Sequence, residues 1–166
     1  MSLKLSSSTV GAAATTRPFS GHAGFKLGAP CVWEARINFP ADSNGNYYNW
    51  PAFWLLDDTR DGTTVEIDVA EVWDGVMQTN YHVGGSNPPG HSYPFLGSGF
   101  HIWTINRTKT GKDYIYIDGV LQYTLTTASA DTGLPQYVLL NIGTQGSHQQ
   151  VPSTVVVDYV RAWTPA

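Results

Sequence analysis

Apolar and polar residues alternate along one segment near the middle of the chain, and the alternation slips once. Val65, Ile67 and Val69 carry the apolar side chains on one parity, whereas Ala70 and Val72 carry them on the other. A period of two is that of a β-strand with one buried face. A one-residue β-bulge would keep that face apolar through the slip, so the pattern predicts a bulged strand.

Shorter alternating runs, separated by turn-forming residues, predict strands along the rest of the chain. The dipeptide Asp118-Gly119 lies between two such runs and predicts a two-residue hairpin turn. In the last run both faces carry apolar side chains, which is typical of a central strand in a sandwich. Together these signals predict an all-β antiparallel sandwich. Besides the bulged segment, the predicted strands cover residues 31–39, 50–55, 78–83, 100–106, 113–117 and 154–163.

Composition narrows the function classes. The 166 residues suffice for one domain with a substantial core, and no repeat or linker divides them. A formal net charge of −4 argues against nucleic acid or an anionic membrane surface as partner. No apolar run reaches the roughly 18 residues of a membrane-spanning helix. The single cysteine, Cys31, is interpreted as a small buried hydrophobe, and the five histidines show no metal-ligand spacing.

Three carboxylates share the polar face of the bulged strand. With the bulge in place, Glu66, Asp68 and Glu71 project to that face, with Trp73 beside them. A solvated strand face is the simpler alternative, but only 13% of the residues are charged, so three acids in six positions are a concentration. Carboxylates this close raise one another's pKa, which keeps an acid catalyst protonated near neutral pH. We therefore interpret them as a candidate catalytic set.

Two tryptophans precede this strand by a short loop. Trp50 and Trp54 share one face of their own alternating run. Indole rings bury the apolar side of a sugar and attract its polarised C–H groups, so the pair suggests a glycan-binding cleft. A core position is the alternative for each of them.

These residues resemble the signature of glycoside hydrolase family 16. The run from Glu66 to Glu71 is similar to the family's E-x-D-x-x-E pattern in its laminarinase-like (endo-β-1,3-glucanase) branch, which keeps the bulge. Residues 50–56 resemble the segment just upstream. The resemblance spans about residues 20–163, since further similarities follow in order at 100–101, 116–120, 140–141 and 157–161.

The resemblance implies a jelly-roll, concanavalin A-like sandwich with a concave cleft, with residues 1–166 as one catalytic domain. It implies Glu66 as nucleophile, Glu71 as general acid/base and Asp68 as the assisting residue. Two carboxyl groups about 5–5.5 Å apart would retain the anomeric configuration. The expected substrate is a laminarin-like polysaccharide, a β-glucan with internal β-1,3 or mixed β-1,3/1,4 bonds. The expected protein is a secreted monomer that requires no cofactor.

Further cleft residues follow from the same resemblance. His82 and Arg36 match cleft positions of the family and join Trp50, Trp54 and Trp73 as candidate substrate-binding residues. A structural role for His82, and a salt bridge with Glu34 or a neighbouring strand for Arg36, remain open alternatives.

The chain also departs from the family. The family's first strand has no counterpart, and residues 1–18 are low in complexity and poorly defined, with Lys4 and Leu5 as the start of an edge strand. Asp158 matches one ligand of a structural calcium site whose upstream ligands are missing, so calcium stays open and no metal site is assigned. Arg107 stands where relatives often carry a tryptophan, which implies a shorter or differently selective cleft.

Two other functions fit the same residues. One is a non-catalytic carbohydrate-binding module on this fold; the intact acid set argues against it, since a binding module has no need of both glutamates. The other is a family 16 enzyme acting on galactans or as a transglycosylase, because such enzymes share the acids.

Overall fold

A computed structural model of the protein describes residues 1–58, 64–84, 86, 90–128, 131 and 133–165. The described residues form no α-helix, and none of them belongs to a helix able to cross a membrane. They form twelve strands: β1 (Ser2–Leu5), β2 (Ala12–Thr15), β3 (Cys31–Asn38), β4 (Trp50–Leu56), β5 (Val65–Trp73), β6 (Val76–Val83), β7 (His91–Ser92), β8 (Phe100–Arg107), β9 (Lys112–Ile117), β10 (Val120–Thr126), β11 (Tyr137–Gly143) and β12 (Ser153–Trp163).

The strands make two six-stranded antiparallel sheets that pack face to face. The site sheet has the order β2-β11-β4-β5-β6-β7, and the back sheet has the order β1-β12-β3-β8-β9-β10. This architecture confirms the predicted all-β sandwich.

The core lies between the two sheets and follows the alternation of the sequence. In β3 every second residue is buried, including Cys31 and Trp33, which are 1% and 2% exposed. Burial raises the pKa of the Cys31 thiol, in keeping with its prediction as a buried hydrophobe. Trp103 from β8 and Phe53 from β4 are fully buried and fill the space between the sheets.

The predicted hairpin turn is confirmed. Val120 pairs with Ile117, so that Asp118 and Gly119 alone connect β9 to β10. Both connecting residues have positive φ angles, 51° and 80°, as the two-residue turn requires.

The first residues of the chain are more ordered than their low complexity predicted. β1 pairs with β12 at one edge of the back sheet, and β2 pairs with β11 at one edge of the site sheet. Leu3 and Leu5 are buried in the core, with Ala12 and Ala14 packed against it. The edge strand expected from Lys4 and Leu5 is present as β1, whereas β2 was not predicted because a run of alanine and threonine gives a weak sequence signal.

The last strand is a central strand of its sheet, as its sequence predicted. β12 lies inside its sheet, between β1 and β3, and Val155 and Val157 are buried. A register shift between Val157 and Tyr159 then changes the parity. Beyond it Val160 and Trp163 are exposed, so the apolar residues on both faces do not mark a strand buried on both sides.

Candidate active site

The bulge predicted in β5 is present and decides which side chains face outward. Phe53 pairs with Ala70 and Trp54 pairs with Asp68, so Val69 is the extra residue of the bulged strand. Val69 and Ala70 are both fully buried in the core. Asp68 and Glu71, on either side of the bulge, therefore share the outer face of the site sheet.

The neighbouring strands surround these acids with polar and aromatic side chains. On β4, Trp54 lies beside Asp68 and Ala52 beside Glu71. A depression of about 250 Å³ follows, lined by Trp50, Ala52, Trp54, Glu66, Asp68, Glu71 and Asn141. The structure thus brings together the predicted acids and both predicted tryptophans.

Glu71 is held by two hydrogen bonds, one on each carboxyl oxygen. The indole Nε1 of Trp50 donates to Oε1 at 2.7 Å, and the amide Nδ2 of Asn80 donates to Oε2 at 2.6 Å. Glu71 is 8% exposed. Gly90 makes room for Asn80, since a Cβ there would lie 2.1 Å from the Oδ1 of that side chain. With a donor on each oxygen, the carboxyl group is fixed in orientation.

Asp68 is buried and lies within hydrogen-bonding distance of His82, the predicted histidine. The Nε2 atom of His82 lies 2.9 Å from Oδ2 of Asp68 and 3.9 Å from Oε1 of Glu66. Burial raises the pKa of Asp68 to about 6, and the charge of Glu71 adds to this rise, whereas the hydrogen bond and charge of His82 oppose it.

Glu66 is affected by the same groups. Burial, then the charge of Asp68, and to a lesser degree that of Glu71, raise the pKa of Glu66 to about 7, with His82 acting in the opposite direction. Repulsion between the acids therefore contributes as predicted, but burial is the larger cause, and the strongly shifted group is the first glutamate.

A second depression adjoins the first on the β6 side. It has a volume of about 340 Å³ and shares Trp50, Glu66 and Glu71 with the first. Trp73 forms part of its wall, 42% exposed, with its ring edge-on to Trp50 at 5.5 Å between centroids. A chain laid across the strands would thus pass over both glutamates. The remaining residues that line the second depression are Gln78, Asn80 and His82.

Three of these side chains were not predicted as site residues. Gln78 and Asn80 share the parity of His82 on β6, so the period of two, counted back from His82, could have located them. Asn141 comes from β11 and accepts a hydrogen bond of 2.8 Å from the indole Nε1 of Trp54. Asn141 is far from the acids in the sequence, and only the pairing of β11 with β4 brings it near them. No local sequence signal therefore indicates its place in the site.

Arg36 does not lie in this site, and its prediction as a cleft residue was wrong. It projects from β3 on the outer face of the back sheet, where it forms a 2.9 Å salt bridge with Asp158 and lies 4.3 Å over the ring of Phe100. The resemblance to the family had placed Arg36 in the cleft, whereas β3 pairs with β12 and β8 in the back sheet. The alternative of a salt bridge with a neighbouring strand is the observed arrangement.

The same sheet holds the other two positions singled out by departure from the family. Arg107 is 1% exposed in the interior, where its guanidinium donates to the backbone oxygens of Asp131 and Leu134. It therefore occupies no cleft position. Asp158 faces the guanidinium of Arg36 rather than the six to eight oxygens that calcium takes, so its described surroundings do not fit a calcium site. Among the described residues, the one group of three or more acidic, histidine or cysteine side chains close enough to share a metal is Glu66, Asp68 and His82.

A two-sheet β-sandwich with paired carboxylates and tryptophans on one face is the arrangement of a jelly-roll carbohydrate-active protein. The chain belongs to the glycosyl hydrolases family 16, whose family model matches residues 2–161. A comparison with the curated proteins finds no match.

Solved structures share the fold at low sequence identity. A glycoside hydrolase family 16 endo-glucanase from Bacteroides ovatus, solved in complex with an oligosaccharide derivative, superposes with a TM-score of 0.73 at 16% identity, over 98% of this chain and 80% of that one. A pseudo β-1,3-glucanase of Mycobacterium tuberculosis, also described as an immunostimulatory antigen, has a TM-score of 0.68 at 23% identity, over 94% and 75% of the two chains. A transglycosylase, Crh5, gives 0.67 at 18% identity, over 96% and 70%. These similarities establish the jelly-roll fold.

Proposed function

We propose that this protein is a retaining endo-glycosidase that hydrolyses internal β-1,3 or mixed β-1,3/1,4 glucosidic bonds of a laminarin-like glucan. The observation that carries the proposal is the position of Glu66 and Glu71. Both line each of two adjoining depressions, so a glycan lying in both would have one of its bonds above the two carboxyl groups.

In the first half of the reaction, a carboxylate oxygen of Glu66 attacks the anomeric carbon. The bond from that carbon to the leaving sugar oxygen breaks, and Glu71 gives that oxygen its proton. Trp50 and Asn80 support this role of Glu71 because they fix the direction of both carboxyl oxygens. Glu66 must be ionised to attack, and the nearby His82 favours its ionised form.

In the second half, Glu71 takes a proton from a water molecule, whose oxygen attacks the same carbon and releases the carboxylate of Glu66. Two inversions at one carbon give net retention. Asp68 assists in two ways. It lies within hydrogen-bonding distance of His82, and its negative charge raises the pKa of Glu66.

The choice of a β-glucan rests on the resemblance to the laminarinase-like branch and on the tryptophans of the two depressions. The similar structures include an endo-glucanase, a pseudo-glucanase and a transglycosylase. A substrate panel is therefore the decisive experiment.

Release of reducing sugar would be measured on laminarin, lichenan, agarose and xylan for the parent protein, Glu66→Gln and Glu71→Gln. Arg36→Ala, a charge on the back sheet, serves as the control. We expect hydrolysis of laminarin or lichenan by the parent and by the control, a loss of about a hundredfold or more in each glutamine variant, and a first product of retained anomeric configuration by NMR.

Other outcomes would select the alternatives. Hydrolysis of agarose alone would keep the mechanism and change the substrate to a galactan. Longer products without net hydrolysis would identify a transglycosylase. Binding of a glucan without turnover by the parent would replace the proposal with a non-catalytic binding module.

A further inference from the structure

A third depression lies on the site sheet, at its β2 edge. It has a volume of about 380 Å³ and is built largely by the chain after β2. Neither the catalytic chemistry nor the two central depressions use it. Its walls are Thr15, Arg17, Pro18, Phe19, Asp58 and Leu139.

The third depression is in line with the catalytic acids. Asp68 pairs with Trp54, Trp54 with Leu139, and Leu139 with Thr15, which makes one row across four neighbouring strands. With strands about 4.8 Å apart, Thr15 is about 14 Å from Asp68 along this row. A glycan that crosses the strands over the acids and continues past Trp54 would reach this pocket.

Phe19 presents an exposed ring at the pocket. It is 77% exposed, and its backbone oxygen accepts a 3.0 Å hydrogen bond from His22 across a tight turn with positive φ at Ser20 and Gly21. The segment folds closely on itself, since a Cβ at Gly24 would lie 2.7 Å from Pro18. The ring is therefore held outward by the backbone, in the way that a stacking platform for a sugar requires.

Arg17 and Asp58 supply polar groups in the same pocket. Their ion pair is long, 3.9 Å, and their side chains are 28% and 51% exposed. Within the described part of the chain the guanidinium of Arg17 donates no hydrogen bond, although it lies over the ring of Tyr137 at 5.8 Å. Asp58 also pairs with Lys26 at 3.4 Å. Donors and an acceptor thus stand beside an aromatic ring, as sugar hydroxyl groups need.

We propose that this pocket is a distal subsite for a neutral sugar unit of the glycan, with Phe19 stacking on the ring while Arg17 donates to and Asp58 accepts from its hydroxyl groups. The inference rests on the proposed function in one respect, that the occupant belongs to the same glycan that lies over the acids. It follows that longer oligosaccharides bind more tightly than those too short to reach from the acids to the β2 edge.

The test uses a graded series of oligosaccharides of the glycan that the parent binds or hydrolyses. KM would be measured against chain length for the parent, Phe19→Ala and Arg17→Gln. Phe100→Ala, which removes an exposed ring from the back sheet, is the matched control. We expect KM of the parent to fall at one chain length and the two variants to lose that fall, with a change of about three- to tenfold confined to the longer substrates. The control should follow the parent, and circular dichroism checks that each variant is folded.

Failure of this inference can be told from failure of the proposed function. Hydrolysis by the parent with no difference between Phe19→Ala and Phe100→Ala at any chain length would overturn the subsite alone. If the parent hydrolyses nothing, calorimetry with the same series still decides. An affinity that increases with the length of the oligosaccharide and depends on Phe19 supports the subsite on a non-catalytic protein. Absence of binding by any oligosaccharide would overturn both.

Discussion

The two glutamates of β5 stand five residues apart on one face, yet their surroundings differ in kind. Glu71 is almost fully buried and accepts a hydrogen bond on each oxygen, from Trp50 and Asn80. Glu66 has 32% of its side chain exposed and is surrounded mainly by charge, with Asp68 and His82 as its neighbours. One carboxyl group is fixed in direction, while the proton affinity of the other is set by its environment. The bulge separates these two tasks on a single strand.

The largest expected effect is a difference between the two glutamine variants on a substrate with a different leaving group. With an aryl glycoside whose leaving group needs no proton, Glu71→Gln should still perform the first step, whereas Glu66→Gln should be inactive, because only Glu66 attacks the carbon. Burst kinetics of aryl release would measure this, with a difference of about a hundredfold or more between the variants. The reverse pattern would exchange the two assignments.

A smaller loss should follow from removing either donor to Glu71. Trp50→Phe keeps a ring but loses the indole N–H, and Asn80→Ala loses the amide. Each should lower kcat/KM by about two- to tenfold, the size of one hydrogen bond to the neutral carboxyl group that donates the proton. Trp54→Phe is the matched control, since its indole N–H binds Asn141 instead. Equal losses at both tryptophans would show that Trp50 acts only as a sugar platform.

Substitution of Asp68 and of His82, the two neighbours of Glu66, should shift the pH profile of kcat/KM in opposite directions. The acid limb of kcat/KM should lie close to the pKa of about 7 that burial gives Glu66. Asp68→Asn removes a neighbouring negative charge and should move the limb to lower pH, though not to 4.5, because burial remains. His82→Gln removes a group that favours ionisation and should move it to higher pH. Profiles that shift the same way in both variants would contradict this account.

The smallest effect concerns stability. The folded-state pKa of Glu66 is raised, so the native protein binds this proton more tightly than the unfolded chain, and the stability present below about pH 4.5 is lost as the pH rises through about 7. Glu66→Gln should therefore raise Tm at pH 8, by about 2–4 °C, since solvent weakens the effect at a partly exposed group. Little change is expected at pH 4. Calorimetry at the two pH values would measure it, and an equal change at both would place its cause outside ionisation.

Features encoded by neighbouring residues in the sequence were predictable, whereas features that depend on pairing between distant strands were not. The bulge, the three acids and the Asp118-Gly119 turn are written in consecutive residues, and the structure contains each of them. Arg36 was misplaced because a match to a single family position does not show which sheet the strand joins. Asn141 was missed because its position depends on a pairing between distant strands.

The prediction gave only part of β1 and none of β2, for a related reason. Each of β1 and β2 is four residues long, so the alternation has only two periods in which to appear. Their stability comes from partners at the other end of the chain. Such information is absent from a window of sequence and is supplied only by the closed fold.

The pairing of β1 with β12 also sets an order of events during synthesis. Leu5 lies opposite Ser153, so the contact joins residues that are 148 positions apart in the sequence (153 − 5). Ribosomes add about 5–20 residues per second, and β1 therefore waits roughly 7–30 s for its partner to be made. During that time Leu3 and Leu5 are without their final cover. Closing so long a loop is entropically unfavourable, which makes the docking of β1 a late step of folding.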